Sequence, residues 1–184
     1  MLQKKSKIIF IIGGARSGKS QYALTLATSW GGRKAYLATA QPLDQEMLQR
    51  IEKHRQMRGE DWTAIEEPLA IRQVLKEISG LYDVVLLDCI TLWISNLLTN
   101  HEEKQSVIIN EIENLAQSAG KFKGRLIIVS NEVGMGIIPE NELARLFRDL
   151  AGYANQKIAE VADEVIMMVS GIPLKLKWSR GNNI

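Results

Sequence analysis

The sequence predicts an α/β fold: a mostly parallel sheet with helices on both faces and an antiparallel edge strand. Three observations lead there. Short runs rich in Val, Ile and Leu recur along the chain, and longer amphipathic stretches separate them. No repeat, low-complexity tract or Pro/Gly/Ser-rich linker divides the 184 residues, so one domain over 1–184 is expected.

Each element has its own signal. Residues 8–12 form a near-continuous apolar run, as in a strand covered on both faces. Residues 20–30 read as a helix with Tyr22, Leu26 and Trp30 as its stripe, stopped by Gly31 and Gly32. Residues 35–38 give a short second strand. Residues 44–58 predict a charged helix with Asp44 as N-cap and a narrow apolar stripe of Met47, Leu48 and Ile51. Residues 62–66 read as a strand, and Pro68 suits the first turn of a helix carrying Ile71, Val74, Leu75 and Ile78. A buried strand follows at 83–88. Helices are then expected near 91–98 and 107–119, separated by a polar segment at 100–106. The remaining elements are a strand at 125–130, a long helix at 140–162, a strand at 165–169 and an edge strand at 174–177, where lysines alternate with leucines. Residues 179–184 read as a loose tail.

Composition narrows the function. With 46% hydrophobic and 24% charged residues, the chain is neither disordered nor fibrous. A net charge of +2 gives no sign of a nucleic-acid or membrane surface. No apolar run approaches the ~18 residues of a membrane span, and residues 8–12 are too short for the core of a secretory signal. The single cysteine excludes an internal disulfide and agrees with a reducing compartment, so a cytoplasmic location is expected.

Gly13, Gly14, Ala15, Arg16, Ser17, Gly18, Lys19 and Ser20 match G-x-x-x-x-G-K-[ST], the phosphate-binding P-loop pattern, between a strand and a helix. Glycines let the backbone turn its N–H groups toward an anion, and the following helix adds its positive end. Lys19 would reach the β- and γ-phosphates, and Ser20 would take a place on Mg²⁺. Asp88, closing a buried strand, is a second candidate for Mg²⁺; capping the next helix is its other ordinary role. These parts alone indicate a user of nucleoside triphosphates, a class that spans kinases, switches and assembly ATPases.

The chain has two histidines. His101 lies in a polar run and reads as a solvated loop residue. His54 stands among cations, and helical spacing puts Arg50, His54 and Arg58 on one face. A neutral imidazole there could attack phosphorus while guanidiniums hold phosphate oxygens. An exposed histidine on a basic face is the commoner arrangement, and spacing alone favours it. Asn131 and Glu132 follow a strand and could orient ligand or cap a helix; Cys89 reads as a packed side chain. Trp93 and Trp178 read as core or subunit-contact residues rather than ligand covers.

Several segments together resemble one family: GGARSGKS at 13–20, LATA at 37–40, RIEKHRQMR at 50–58, WTAIEEPL at 62–69, LDCIT at 87–91 and SNEVGMGIIPEN at 130–141. The chain resembles the bifunctional adenosylcobinamide kinase and adenosylcobinamide-phosphate guanylyltransferase, in order, from residue 8 to about 177. The resemblance implies a RecA-like P-loop NTPase fold, commonly trimeric, using ATP, GTP and Mg²⁺ on a small corrinoid substrate, so a homotrimer is expected. It implies phosphorylation of adenosylcobinamide, then GMP transfer from GTP through a GMP–histidine intermediate at His54, with Lys19 holding the phosphates. Nucleotide contacts carry over to the loop at 13–20, to Ala38, Thr39 and Ala40, to Arg55, Gln56, Met57 and Arg58, and to Glu66 and Asp88. Some relatives carry two adjacent histidines where this chain has Lys53 and His54. Two other readings stay open: a P-loop kinase for a small alcohol without a covalent intermediate, and a RecA-like ATPase module acting on partners.

Overall fold

The computed structural model describes residues 6–100 and 105–178. His101, the tail at 179–184 and the basic start at 4–5 lie outside them. Within them the chain runs β1 (Lys7–Gly13), α1 (Lys19–Ser29), β2 (Lys34–Ala38), α2 (Gln45–Arg58), β3 (Trp62–Glu66), α3 (Ile71–Ile78) and β4 (Val84–Asp88). It continues through α4 (Ile90–Asn100), α5 (Gln105–Gly120), β5 (Arg125–Val129), α6 (Glu142–Val161), β6 (Glu164–Val169) and β7 (Ile172–Lys177).

The strands form one seven-stranded sheet in the order β3-β2-β4-β5-β1-β6-β7. All neighbours are parallel except β6 and β7, so the lysine-bearing strand is the antiparallel edge. The central strands need apolar residues on both faces because both faces are covered. Ile8 and Phe10, Val85 and Leu87, Leu126 and Ile128 pack with α3, α4, α5 and α6. Ile9 and Ile11, Val84 and Leu86, Ile127 and Val129 pack with α1 on the other face. Alternation of side chains along a strand thus feeds two cores from one apolar run.

Four expectations are corrected. In α1 the buried positions are Lys19, Ala23, Leu24 and Ala27, whereas Tyr22, Leu26 and Trp30 lie half-buried at its margin. Small alanines let this helix approach the sheet where it crosses β4 and β5 on its way from β1 to β2. In α2 the inward face is Met47, Ile51, His54 and Arg58, while Leu48 is exposed and no residue is fully buried. Pro68 precedes α3 rather than entering it, since Ala70 is the N-cap. Here Glu67 Oε1 accepts from the N–H groups of Leu69 and Ala70, both at 2.8 Å. The polar segment shortens too, because Asn100 ends α4 while Gln105 and Ser106 begin α5.

Candidate active site

The register of the parallel strands gathers their carboxyl ends at one edge. Ala38 pairs with both Glu66 and Asp88, Asp88 with Val129, and Gly13 with Met168. Ligands of open α/β sheets bind at this edge.

At Gly13 the φ angle is +150°, and a Cβ there would collide with the Met168 carbonyl and with Ser17 Oγ. Gly18, at φ +93°, is the N-cap of α1 and offers no side chain to the first N–H groups of the helix. No acidic residue occupies that first turn. Two other helices show what a sealed start looks like. Asp44 Oδ1 accepts from Met47 N at 2.7 Å on α2, and Asn141 Oδ1 from Ala144 N at 3.1 Å on α6. An uncapped start beside a glycine turn and a lysine is the arrangement for an anion.

Lys19 is only 8% exposed, and its Nζ donates to the Gly14 carbonyl at 2.6 Å. Burial lowers its pKa; Asp88 opposes that shift and Arg50 adds to it. Gly14, Ala15 and Arg16 form the exposed rim of the loop, while Ser17 is buried and Ser20 half-buried.

Asp88 is the meeting point. Its Oδ2 accepts from the Tyr36 hydroxyl at 2.9 Å and lies 3.5 Å from His54 Nδ1, and the Ser20 side chain is close enough to its carboxylate to favour the ionised form. Burial presses its pKa upward. Hydrogen bonding and charge from His54, with hydrogen bonds from Tyr36 and Ser20, outweigh this and hold the carboxyl below its usual value. The Tyr36 hydroxyl is 3.3 Å from His54 Nδ1, and the Arg58 guanidinium stacks 3.9 Å from the Tyr36 ring centroid. Burial and the Asp88 carboxylate raise the Tyr36 pKa well above the ordinary phenol value.

His54 is therefore not a freely solvated residue. Its side chain is 29% exposed and turned into the carboxyl edge beside Asp88. Arg58 shares that inward face, whereas Arg50, Lys53, Arg55, Gln56 and Met57 are exposed, and Gln56 pairs with Glu52 on the helix surface. Glu66 is exposed at the end of β3, next to Ala38. Thr39 is completely buried: its Oγ1 donates to the Cys89 carbonyl and accepts from the Cys89 N–H, both at 2.8 Å.

Several other candidate residues have partners within the fold. Asn131 Nδ2 donates to Thr91 Oγ1 at 2.7 Å, and Glu132 Oε1 accepts from Gly134 N at 2.8 Å within its own loop. Trp93 is fully buried and its Nε1–H donates to the Leu69 carbonyl, whereas Trp178 is exposed. Cys89 is buried, and burial beside Asp88 pushes its thiol pKa to about 11. Sequence reasoning passed over Tyr36 and Asn96. The available signal was a phenol inside a buried strand, since such a hydroxyl requires a partner. Asn96 Nδ2 donates to the carbonyls of Thr39 and Pro68 and joins α4 to the segments after β2 and β3.

Ser20 and Asp88 supply hydroxyl and carboxylate oxygens, the hard donors that Mg²⁺ takes alongside phosphate oxygens and water. Among the described residues no group of three His, Cys, Asp or Glu side chains forms a protein-only metal cage. The pair fits a cation carried with a nucleotide.

The crystal structure of the RadB recombinase superposes with a TM-score of 0.51 at 17% identity, covering 88% of this chain and 73% of that one, and shows the RecA-like fold. The bifunctional adenosylcobalamin biosynthesis protein CobP of Pseudomonas aeruginosa is 43% identical over 167 residues, 91% of this chain and 95% of its own. The bifunctional adenosylcobalamin biosynthesis protein CobU of Escherichia coli is 40% identical over 181 residues, covering 92% and 99%. Its counterpart of the same name in Salmonella typhimurium matches to the same extent. The model of the family described as cobinamide kinase / cobinamide phosphate guanyltransferase matches residues 9–176, and the chain is an enzyme belonging to that family.

Proposed function

We propose that this enzyme phosphorylates adenosylcobinamide with ATP or GTP and then transfers GMP from GTP to adenosylcobinamide phosphate through a GMP–histidine intermediate on His54. The observation that carries the reading is the juxtaposition of His54 with Asp88 and Ser20, at the end of the loop that holds Lys19. A histidine meant only to solvate a basic helix would have no reason to turn inward while Arg50 and Arg55 remain outside.

In the kinase step the corrinoid hydroxyl oxygen attacks the γ-phosphorus and the nucleoside diphosphate leaves with the bridging oxygen. Lys19 and the N–H groups of the loop and of the start of α1 stabilise charge on the phosphate oxygens. In the guanylyl step an imidazole nitrogen of His54 attacks the α-phosphorus of GTP. A P–N bond forms, the bond to the bridging oxygen breaks, and pyrophosphate departs with the electron pair into the loop. An oxygen of the corrinoid phosphate then displaces His54 and yields adenosylcobinamide-GDP. Ser20 and Asp88 would hold Mg²⁺, which when bound neutralises charge on the phosphates. Ala38, Ala40, Arg55, Gln56, Met57, Arg58 and Glu66 border the same edge or its covering helix and are assigned to the nucleotide.

A homotrimer in the cytoplasm is part of this reading. The exposed apolar side chains of β7 and its end, Ile172, Leu174, Leu176 and Trp178, support association between subunits.

The test is labelling with α-³²P GTP. The wild-type protein should acquire label that is stable to alkali and released by acid, as expected of a phosphoramidate. His54→Ala should lose the label. Equal labelling of the two proteins would remove His54 as nucleophile, and an unlabelled wild type with intact kinase activity would leave only the phosphorylating half.

A further inference from the structure

The structure assigns Tyr36 as the positioning residue that fixes the tautomer of His54 for attack; the role rests on the nucleophile proposed above. Three atoms form a close triangle: His54 Nδ1, Tyr36 Oη at 3.3 Å from it, and Asp88 Oδ2 at 2.9 Å from the phenol. The carboxylate is 3.5 Å from the imidazole, so the phenol is the nearer partner of the ring.

Hydrogen counting gives the direction of the chain. A phenol has one proton, and an ionised carboxylate can only accept. The Tyr36 proton is committed to Asp88 by the shorter contact. Toward His54 the phenol oxygen therefore offers only lone pairs, and Nδ1 must be the donor. In a neutral imidazole a proton on Nδ1 leaves the lone pair on Nε2, the nitrogen pointing away from this network. Tyr36 thereby selects Nε2 as the atom that would bond to the α-phosphorus. The positive charge that forms on the ring during attack is met by the Asp88 carboxylate 3.5 Å away, which the phenol holds in place, as an orienting group meets the imidazole in other nucleophile–histidine systems.

The rest of the phenol is immobilised. Tyr36 is 3% exposed, its ring meets Trp62 edge-on at 6.4 Å between centroids, and Arg58, one turn beyond His54, covers it at 3.9 Å. One side chain on β2 thus holds two residues of α2, a helix with no fully buried residue of its own.

Tyr36→Phe keeps the ring, its packing and its contact with Arg58, and removes only the hydroxyl. In single-turnover labelling with saturating α-³²P GTP its rate should fall about tenfold or more. GTP affinity should stay within about threefold, and any loss in the kinase half-reaction should be at least tenfold smaller than the loss in labelling. Nitrogen-15 NMR of the histidines, with the His54 signal assigned by its disappearance in His54→Ala, should show the wild-type proton on Nδ1 and its redistribution in Tyr36→Phe. Labelling of Tyr36→Phe at the wild-type rate overturns the assignment. So does a wild-type His54 with its proton on Nε2, a reading that needs no folded variant. Absence of label in the wild type would strike the nucleophile and with it this role in attack, whereas the tautomer measurement would separately show whether Tyr36 sets the proton of His54.

Discussion

Thr39 shows how one buried hydroxyl is used twice. It satisfies both the N–H and the C=O of Cys89 and so locks the end of β2 to the residue after Asp88. Thr39→Val keeps the shape and leaves the buried Cys89 N–H unpaired, while the Cys89 carbonyl keeps the Trp93 N–H at 3.2 Å, which should cost about 1–3 kcal/mol. Urea unfolding should show a lower midpoint with an unchanged slope. Lys19 is a residue of another kind, proposed above to hold phosphate. Lys19→Ala should reduce both half-reactions by about 10²–10³-fold with little change in unfolding midpoint, the scale of losing one preorganised phosphate donor. The two variants separate residues that sequence reading grouped together, because a motif names positions near a nucleotide without saying which atoms are already engaged by the backbone.

At the scale of elements, α2 differs from the other helices. Its capping was legible: Asp44 accepts from Met47 N as its position predicts. Its orientation was not, because a helix this charged has no apolar stripe strong enough to dictate one face. Met47, Ile51, His54 and Arg58 are the half-buried positions, and His54 and Arg58 meet Tyr36 of β2 and Asp88 of β4 through contacts that no local pattern encodes. Such an element opens locally at low cost. Amide exchange in α2 should be faster than in β1, β4 and β5. Asp44→Ala should accelerate it further by about 1 kcal/mol of local stability, with little effect on the central strands. Equal protection of α2 and the central strands in hydrogen-exchange mass spectrometry would contradict this ranking. α1 illustrates a different limit. Its fourfold aromatic and leucine pattern marks the half-buried margin, while the alanines mark the line of closest approach, which only the crossing over the sheet defines.

For the whole molecule the alkaline dependence of stability includes two groups whose protons burial helps to retain. Cys89 is shifted from 9.0 to about 11, and Tyr36 is shifted upward from its ordinary value as well. Both pKa values are raised in the folded state, so unfolding releases protons at alkaline pH and the unfolded state gains. The stability tied to Cys89 is fully present below about pH 9 and diminishes as pH rises through 11. Urea midpoints should fall between pH 8 and pH 10.5, and Cys89→Ala should fall less steeply over that range. The same burial makes the thiol unreactive: 5,5′-dithiobis(2-nitrobenzoate) should modify Cys89 at pH 8 only after denaturant is added. Prompt reaction of the native protein would show that the carboxyl edge opens widely in solution.

By itself the sequence determined the α/β order of elements, the two-sided sheet, the antiparallel edge and the phosphate loop, since each is written in contiguous residues through periodicity, glycine placement and spacing. Tertiary structure decided which way His54 faces, what Asp88 touches, that Thr39 serves the backbone, and that Tyr36 belongs to the site. Those depend on strand register and on the crossing that lays α2 over β2, which bring residues 18 and 52 positions from Tyr36 within hydrogen-bonding distance of its hydroxyl. Local pattern carries the identity of an element; only the packing of distant elements decides which polar atoms share a buried space.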